Sequence, residues 1–145
     1  MVHIANAGPK NKGPIFFNID HPVGQGPGVE PNAVLSADVQ LVQVFLRALG
    51  FYDQPGGGFS GRNDYATVDA ITQFQLNHTS AKPDGRISVA TGETFSAGSP
   101  FAIVVLNKLV RQKFQNEWPR IHRIGGVAGP PVLQARLTEI FGLQM

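Results

Sequence analysis

"ATVDAITQFQ", residues 66–75, places Thr67, Ala70, Ile71 and Phe74 at i, i+3, i+4 and i+7. That spacing is one face of a 3.6-residue period and predicts an amphipathic helix with Phe74 in the core. Gln73 and Gln75 bracket the phenylalanine, and Asn63 or Asp64 is the expected cap. Just upstream, "QPGGGFSGRND" (residues 54–64) reads as loop. Before it, Val39, Val42, Phe45, Leu46 and Leu49 form the buried stripe of another helix. Ser36 caps that helix, Asp38 suits its positive N-terminal end, and Gly50 stops it where a left-handed residue is wanted.

Outward from this pair, "KPDGRIS" (82–88) predicts a turn followed by a very short extended piece. Ser99 and Pro100 read as cap and first residue of a helix that runs to about Asn116 and ends before Pro119. Its first half is apolar on most sides, so it is expected to be sandwiched. "IHRIGGVAGPP" (121–131) reads as loop, and a last helix from Pro131 buries Leu133, Leu137, Ile140 and Phe141, with Gly142 closing it. At the other end, residues 1–13 are expected to be mobile. "PIFFNID" (14–20) reads as a short strand or extended arm, and "HPVGQGPGVEPN" (21–32) as loop.

The bulk numbers fit one compact domain with extensions: 145 residues, 42% hydrophobic, 15% charged, 17 glycines and 11 prolines. A net charge of +2 is too small to argue for nucleic acid. Residues 101–145 hold six basic and two acidic side chains, a local +4, which reads first as a solvated helix face. "WPRIHR" (118–123) reads as a tryptophan anchoring a loop, with an interaction patch as the alternative. "FAIVVL" (101–106) is too short to span a bilayer, so no membrane insertion is expected. The N-terminus shows no secretory apolar region, which predicts a chain that is cytoplasmic as made.

Catalytic machinery is not visible. There is no cysteine, which excludes disulfides, thiol catalysis and cysteine-bound zinc. His3, His21, His78 and His122 lack metal-ligand spacing, and His78 suits the negative end of its helix. No G-x-S-x-G elbow occurs, and Glu30, Glu93, Glu117 and Glu139 fall in loops or on polar faces. "GQGPGVE" (24–30) lacks the lysine and the following helix of a phosphate loop. The expectation is no catalytic residue, no metal and no cofactor.

From Asp38 to Ser88 the chain resembles the peptidoglycan-binding domain, a small three-helix module attached to many cell-wall hydrolases. That family shows V-x-x-L-Q-x-x-L-x-x-L-G-Y, a D-G-x-F-G loop, T-x-x-A-V-x-x-F-Q and D-G-x-x-G-x-x-T. Val39, Val42-Gln43, Leu46 and Leu49-Gly50-Phe51 match the first element. Thr67, Ala70-Ile71 and Phe74-Gln75 match the third, and Asp84-Gly85 with Ile87 match the fourth. The loop departs from the pattern: Gly57-Gly58 replaces Asp-Gly, Phe59-Ser60-Gly61 interrupts Phe-Gly, and "RNDY" lengthens the run into the helix.

The resemblance implies a mainly α fold. Residues 36–97 are expected to form a small peptidoglycan-binding-like helical core; outside the resemblance, 1–35 reads as a short extended N-terminal arm and loop and 98–145 as two additional C-terminal helices packed on it. Buried Gln75 is expected to hydrogen-bond loop backbone, with Gln43 as its counterpart. The implied function is non-catalytic binding of peptidoglycan, through glycan or stem peptide. The groove expected for it lies between the 51–65 loop and the "KPDGRIS" turn, with Tyr52, Phe59, Arg62, Tyr65 and Arg86 as ligand-binding residues. The alternative is a protein-interaction adaptor that keeps the fold without the glycan ligand, working through the N-terminal arm or the basic C-terminal helices. By analogy, either role fits a phage tail or a contractile, type VI-like secretion apparatus, with delivery to the periplasm or wall by a non-conventional route.

Overall fold

The computed structural model describes residues 2–6, 15–31, 34–53, 58–79, 82–90, 101–118, 120–121 and 131–141. Along the chain come strands β1 (His3–Asn6), β2 (Ile15–Asn18) and β3 (Val23–Gly24), then helices α1 (Ala37–Ala48) and α2 (Tyr65–His78). Strand β4 (Arg86–Ile87) and helices α3 (Ala102–Lys113) and α4 (Pro131–Phe141) follow. The fold is mainly helical, as the sequence implies. Its strands form two antiparallel pairs, β1 with β2 and β3 with β4.

Helix α1 is the centre. Ser36 caps it by accepting the Val39 N–H, and Asp38 lies in its first turn. Gly50, at φ 88°, takes the left-handed position after its end. There Phe51 N–H donates to Leu46 and Gly50 N–H to Arg47, the double bond of a Schellman ending. The apolar stripe is wider than the sequence periodicity predicts: Leu41, Val44, Gln40 and Gln43 are buried along with Val42, Phe45 and Leu46. A helix buried all round has cover on every side, and α1 touches α2 and β3 on one flank and α3 and α4 on the other.

The stretch read as an arm enters this core. Phe16, Phe17, Ile19 and Val23 are buried in the same hydrophobic cluster as α1, α3 and α4. His3–Asn6, expected to be mobile, is a strand because β2 offers it a ladder from His3↔Asn18 to Asn6↔Ile15. Val2 is buried, and its carbonyl accepts from Arg136 Nε at 2.7 Å. Across the core, Phe17, Phe45 and Trp118 pack ring against ring at 5.5–6.4 Å. Trp118 thus anchors its turn, the first of the two readings its motif allowed.

Helix α3 starts at Ala102, with the Phe101 backbone as its cap and no side-chain cap bond. Ser99 and Pro100, expected to open it, lie outside the described residues, as do Gly142 and residues 122–130. From Phe101 to Val110 no residue is fully exposed, which fits a covered helix. Leu133 and Leu137 of α4 are buried, and Ile140 packs at the core edge. Among the described residues, no helix is long and apolar enough to cross a membrane.

Candidate functional site

Two buried glutamines organise the irregular segments beside α2. Gln43, on α1, accepts the Gly61 N–H at 3.0 Å through its side-chain oxygen. Its amide nitrogen donates to the hydroxyls of Ser60 (2.9 Å) and Thr67 (2.8 Å). Gln75, on α2, accepts the N–H groups of Asp84 (3.1 Å) and Gly85 (3.0 Å). Its nitrogen donates to Asp84 Oδ1 (2.9 Å) and the Arg86 carbonyl (3.0 Å). Each amide satisfies backbone of the adjoining loop or turn, as a buried amide must. The expectation for both residues holds.

Between these loops the N-terminal segment runs across the surface. Gly24 N–H donates to Asn63 Oδ1 at 2.8 Å, and Asn63 Nδ2 donates to the Glu30 carbonyl at 2.9 Å. Gln25 N–H donates to the Gly85 carbonyl, and its side chain to the Asp84 carbonyl at 2.9 Å. Arg86 Nη1 reaches back to the carbonyls of Gln25 and Pro27. Strand β3 pairs with β4, Gly24 facing Arg86 and Val23 facing Ile87. The space expected as an open groove between the 51–65 loop and the 82–88 turn is therefore crossed by residues 24–30.

A cluster that the sequence did not reveal ties down the flanks of that segment. His21 Nδ1 lies 3.4 Å from both Glu30 Oε1 and Asp38 Oδ2, and the His21 N–H donates to Asp38 Oδ2. These residues are 9 and 17 positions from His21, so no local spacing could signal the cluster. Among the described residues, no group of three His, Cys, Asp or Glu side chains is arranged to hold a metal.

The five residues singled out from sequence meet different fates. Tyr52 is 3% exposed, stacked on Phe59 at 6.1 Å, with its hydroxyl accepting the Ser60 N–H. Burial pushes its phenol above the ordinary value. It is a corrected expectation: the ring is buried against Phe59 and has no open face for a sugar. Phe59 is half-buried beneath the Arg47 guanidinium, 5.1 Å from the ring centroid. Arg62 is half-buried, and its carbonyl accepts from the hydroxyls of Ser60 and Thr67. Arg86 holds the crossing segment. Tyr65 alone of the five is fully outward, 82% exposed on the first turn of α2.

Asp64 caps α2, accepting the N–H (3.0 Å) and hydroxyl (2.6 Å) of Thr67. Burial pushes its carboxyl up, but hydrogen bonds from Thr67 and Ser60 outweigh that, and the net shift is downward. At the other end, His78 stacks on Phe74 at 5.3 Å and meets Phe51 edge-on, completing an aromatic end to the helix.

No curated protein and no solved structure matches the chain. One family model does, under the description "Putative peptidoglycan binding domain", over residues 36–94. The segment that carries both glutamine-held loops therefore matches the peptidoglycan-binding domain family, and the resemblance drawn from its helices and turns is borne out.

Proposed function

We propose that the protein is a non-catalytic peptidoglycan-binding module. The observation that carries this reading is the family match over 36–94, whose two loops are fixed by buried amides on α1 and α2. Rigid loops on a small helical scaffold suit a binding surface. Tyr65 offers an open aromatic face for a sugar ring. Co-sedimentation with insoluble peptidoglycan at low and moderate salt tests the reading: retention is expected at both. Release of soluble muropeptides, abolished by one point substitution, would refute the non-catalytic part.

The adaptor reading is favoured by one observation, the crossing of the expected groove by residues 24–30. Retention that disappears at moderate salt would support it, because only screened attraction between the basic C-terminal segment and an anionic wall would then remain. The setting we infer, a phage tail or contractile, type VI-like apparatus that reaches the wall by a non-conventional route, rests on analogy with where such modules occur.

A further inference from the structure

Residues 24–28 repeat an unusual backbone pattern. Gly24, Gly26 and Gly28 have φ of 113°, 99° and 87°, with Gln25 and Pro27 between them. Positive φ is costly for L-residues and is the natural region of their mirror images. A segment that alternates such positions with ordinary ones has the backbone habit of a peptide of alternating L and D centres. The stem peptide of bacterial walls carries L and D centres in alternation from L-Ala to its first D-Ala, with one γ-link, at D-Glu, interrupting the α-peptide backbone.

The cleft around the segment recognises main chain. Asn63 takes the Gly24 N–H while its amide gives to Glu30 beyond the segment, and the Gly85 carbonyl takes the Gln25 N–H. The Arg86 guanidinium takes two further carbonyls, while β4 supplies strand pairing. At Gly24 an L-configured Cβ would collide with the Gly85 carbonyl oxygen. A D-configured one leaves the backbone on the opposite side. The groups that grip come from the segment matching the wall-binding family, whereas the gripped residues lie outside it.

We propose that this cleft binds the wall's stem peptide and that residues 24–28 are its resident mimic, displaced when the peptide enters. The proposal rests on the wall-binding reading above and names its ligand class. Displacement is feasible because residues 25–28 are exposed and attached through polar bonds that water can replace. Firm anchors lie on either side: Val23 is buried, and Ser36 N–H donates to Gly61 at 2.9 Å. Arg86, once released from the carbonyls of Gln25 and Pro27, is free to pair with a peptide carboxylate.

The test is amide hydrogen exchange on the full chain, with a synthetic stem pentapeptide (L-Ala, γ-linked D-Glu, L-Lys, D-Ala, D-Ala) and its all-L diastereomer. At saturation the stem peptide is expected to speed exchange at Gly24 and Gln25 by about tenfold, while the all-L peptide leaves both unchanged. Gly26→Ala, which strains the mimic and crowds Arg86 Nη1, is expected to tighten stem-peptide binding by about fivefold, because more of the chain is then open. Equal binding of the two diastereomers, unchanged or slower exchange at Gly24 and Gln25, or weaker binding by Gly26→Ala would each overturn the proposal. So would a silent peptide. If the chain still sediments with sacculi in that case, only this inference fails; if it does not, the wall-binding reading fails with it.

Discussion

On the α2 side of α1, buried amides hold chain that is close in sequence: Gln43 reaches Thr67 across 24 positions and Gln75 reaches Asp84 across 9. On the other side the same chemistry works at long range. Asn107 accepts the Phe17 N–H and donates to the Phe17 carbonyl across 90 positions. Asn18 does the same for Ala90 across 72, and Gln40 accepts the Leu133 N–H across 93. Both sides solve one problem, burying backbone that has no regular partner, with side-chain amides. The difference is wiring: the family-like side can be assembled from neighbouring segments, whereas the far side exists only when both ends of the chain have arrived.

That contrast can be broken experimentally, most drastically by cutting. A chain ending at Gly98 removes α3 and α4, which pack on α1, and the Trp118 ring stacked on Phe45. It is expected to show no cooperative urea transition by circular dichroism. A transition as sharp and as late as that of the full chain would show the α2 side to be self-sufficient.

Next in size is Phe74→Ala, which empties a fully buried ring site against Phe51 and His78. About 3–5 kcal/mol of stability should be lost in urea unfolding. A loss under about 1 kcal/mol would mean that the site collapses freely, unlike a packed core.

Gln75→Leu and Asn107→Leu then compare the two wirings directly. Each leaves buried backbone groups without a partner, at a cost of about 2–3 kcal/mol. Only Gln75→Leu should also loosen the 84–86 turn, seen as faster amide exchange at Asp84 and Gly85.

The Asp64 cap contributes less. Asp64→Asn should cost about 0.5 kcal/mol at pH 7, because the amide still caps and only the negative charge at the helix N-terminus is lost. The folded carboxyl lies below its ordinary value of 3.8, so its contribution is complete above that pH and is lost as pH falls through the folded value. The gap between wild type and Asp64→Asn should therefore close in acid, as read from parallel pH-dependent melts. Smallest in stability is Tyr65→Ala, expected to change unfolding by under about 0.5 kcal/mol at so exposed a position. Its effect should appear in sacculus retention instead, and retention equal to wild type would remove Tyr65 from the site.

Legibility in the sequence follows the same divide. Phe74, the Ser36 and Asp64 caps and the Gly50 stop were readable from local spacing, and both glutamines from motifs whose partners lie at most 24 positions away. Asn107, Asn18 and Gln40 were not, since a polar residue in an apolar stripe does not announce a partner 70 or more positions away. Tyr52 misled because a tyrosine in a glycine-rich loop resembles an open stacking face. Its ring instead stacks on Phe59 in the core, a detail of backbone path. The crossing segment was read as loop, although Val23 and Gly24 form strand β3, and nothing in "GQGPGVE" says which surface it lies on.

The encirclement of α1 has a consequence for the protein's birth. As the nascent chain leaves the ribosome, α1 and α2 are complete long before α3 and α4 are made. During that interval the contacts that α1 makes with α3 and α4 are missing. The face they cover is a sticky surface in a crowded cell, of the kind that chaperones bind and that otherwise seeds aggregation. Slow translation across the second half of the message should therefore lower the soluble yield of this protein more than that of a module whose helices pair in order.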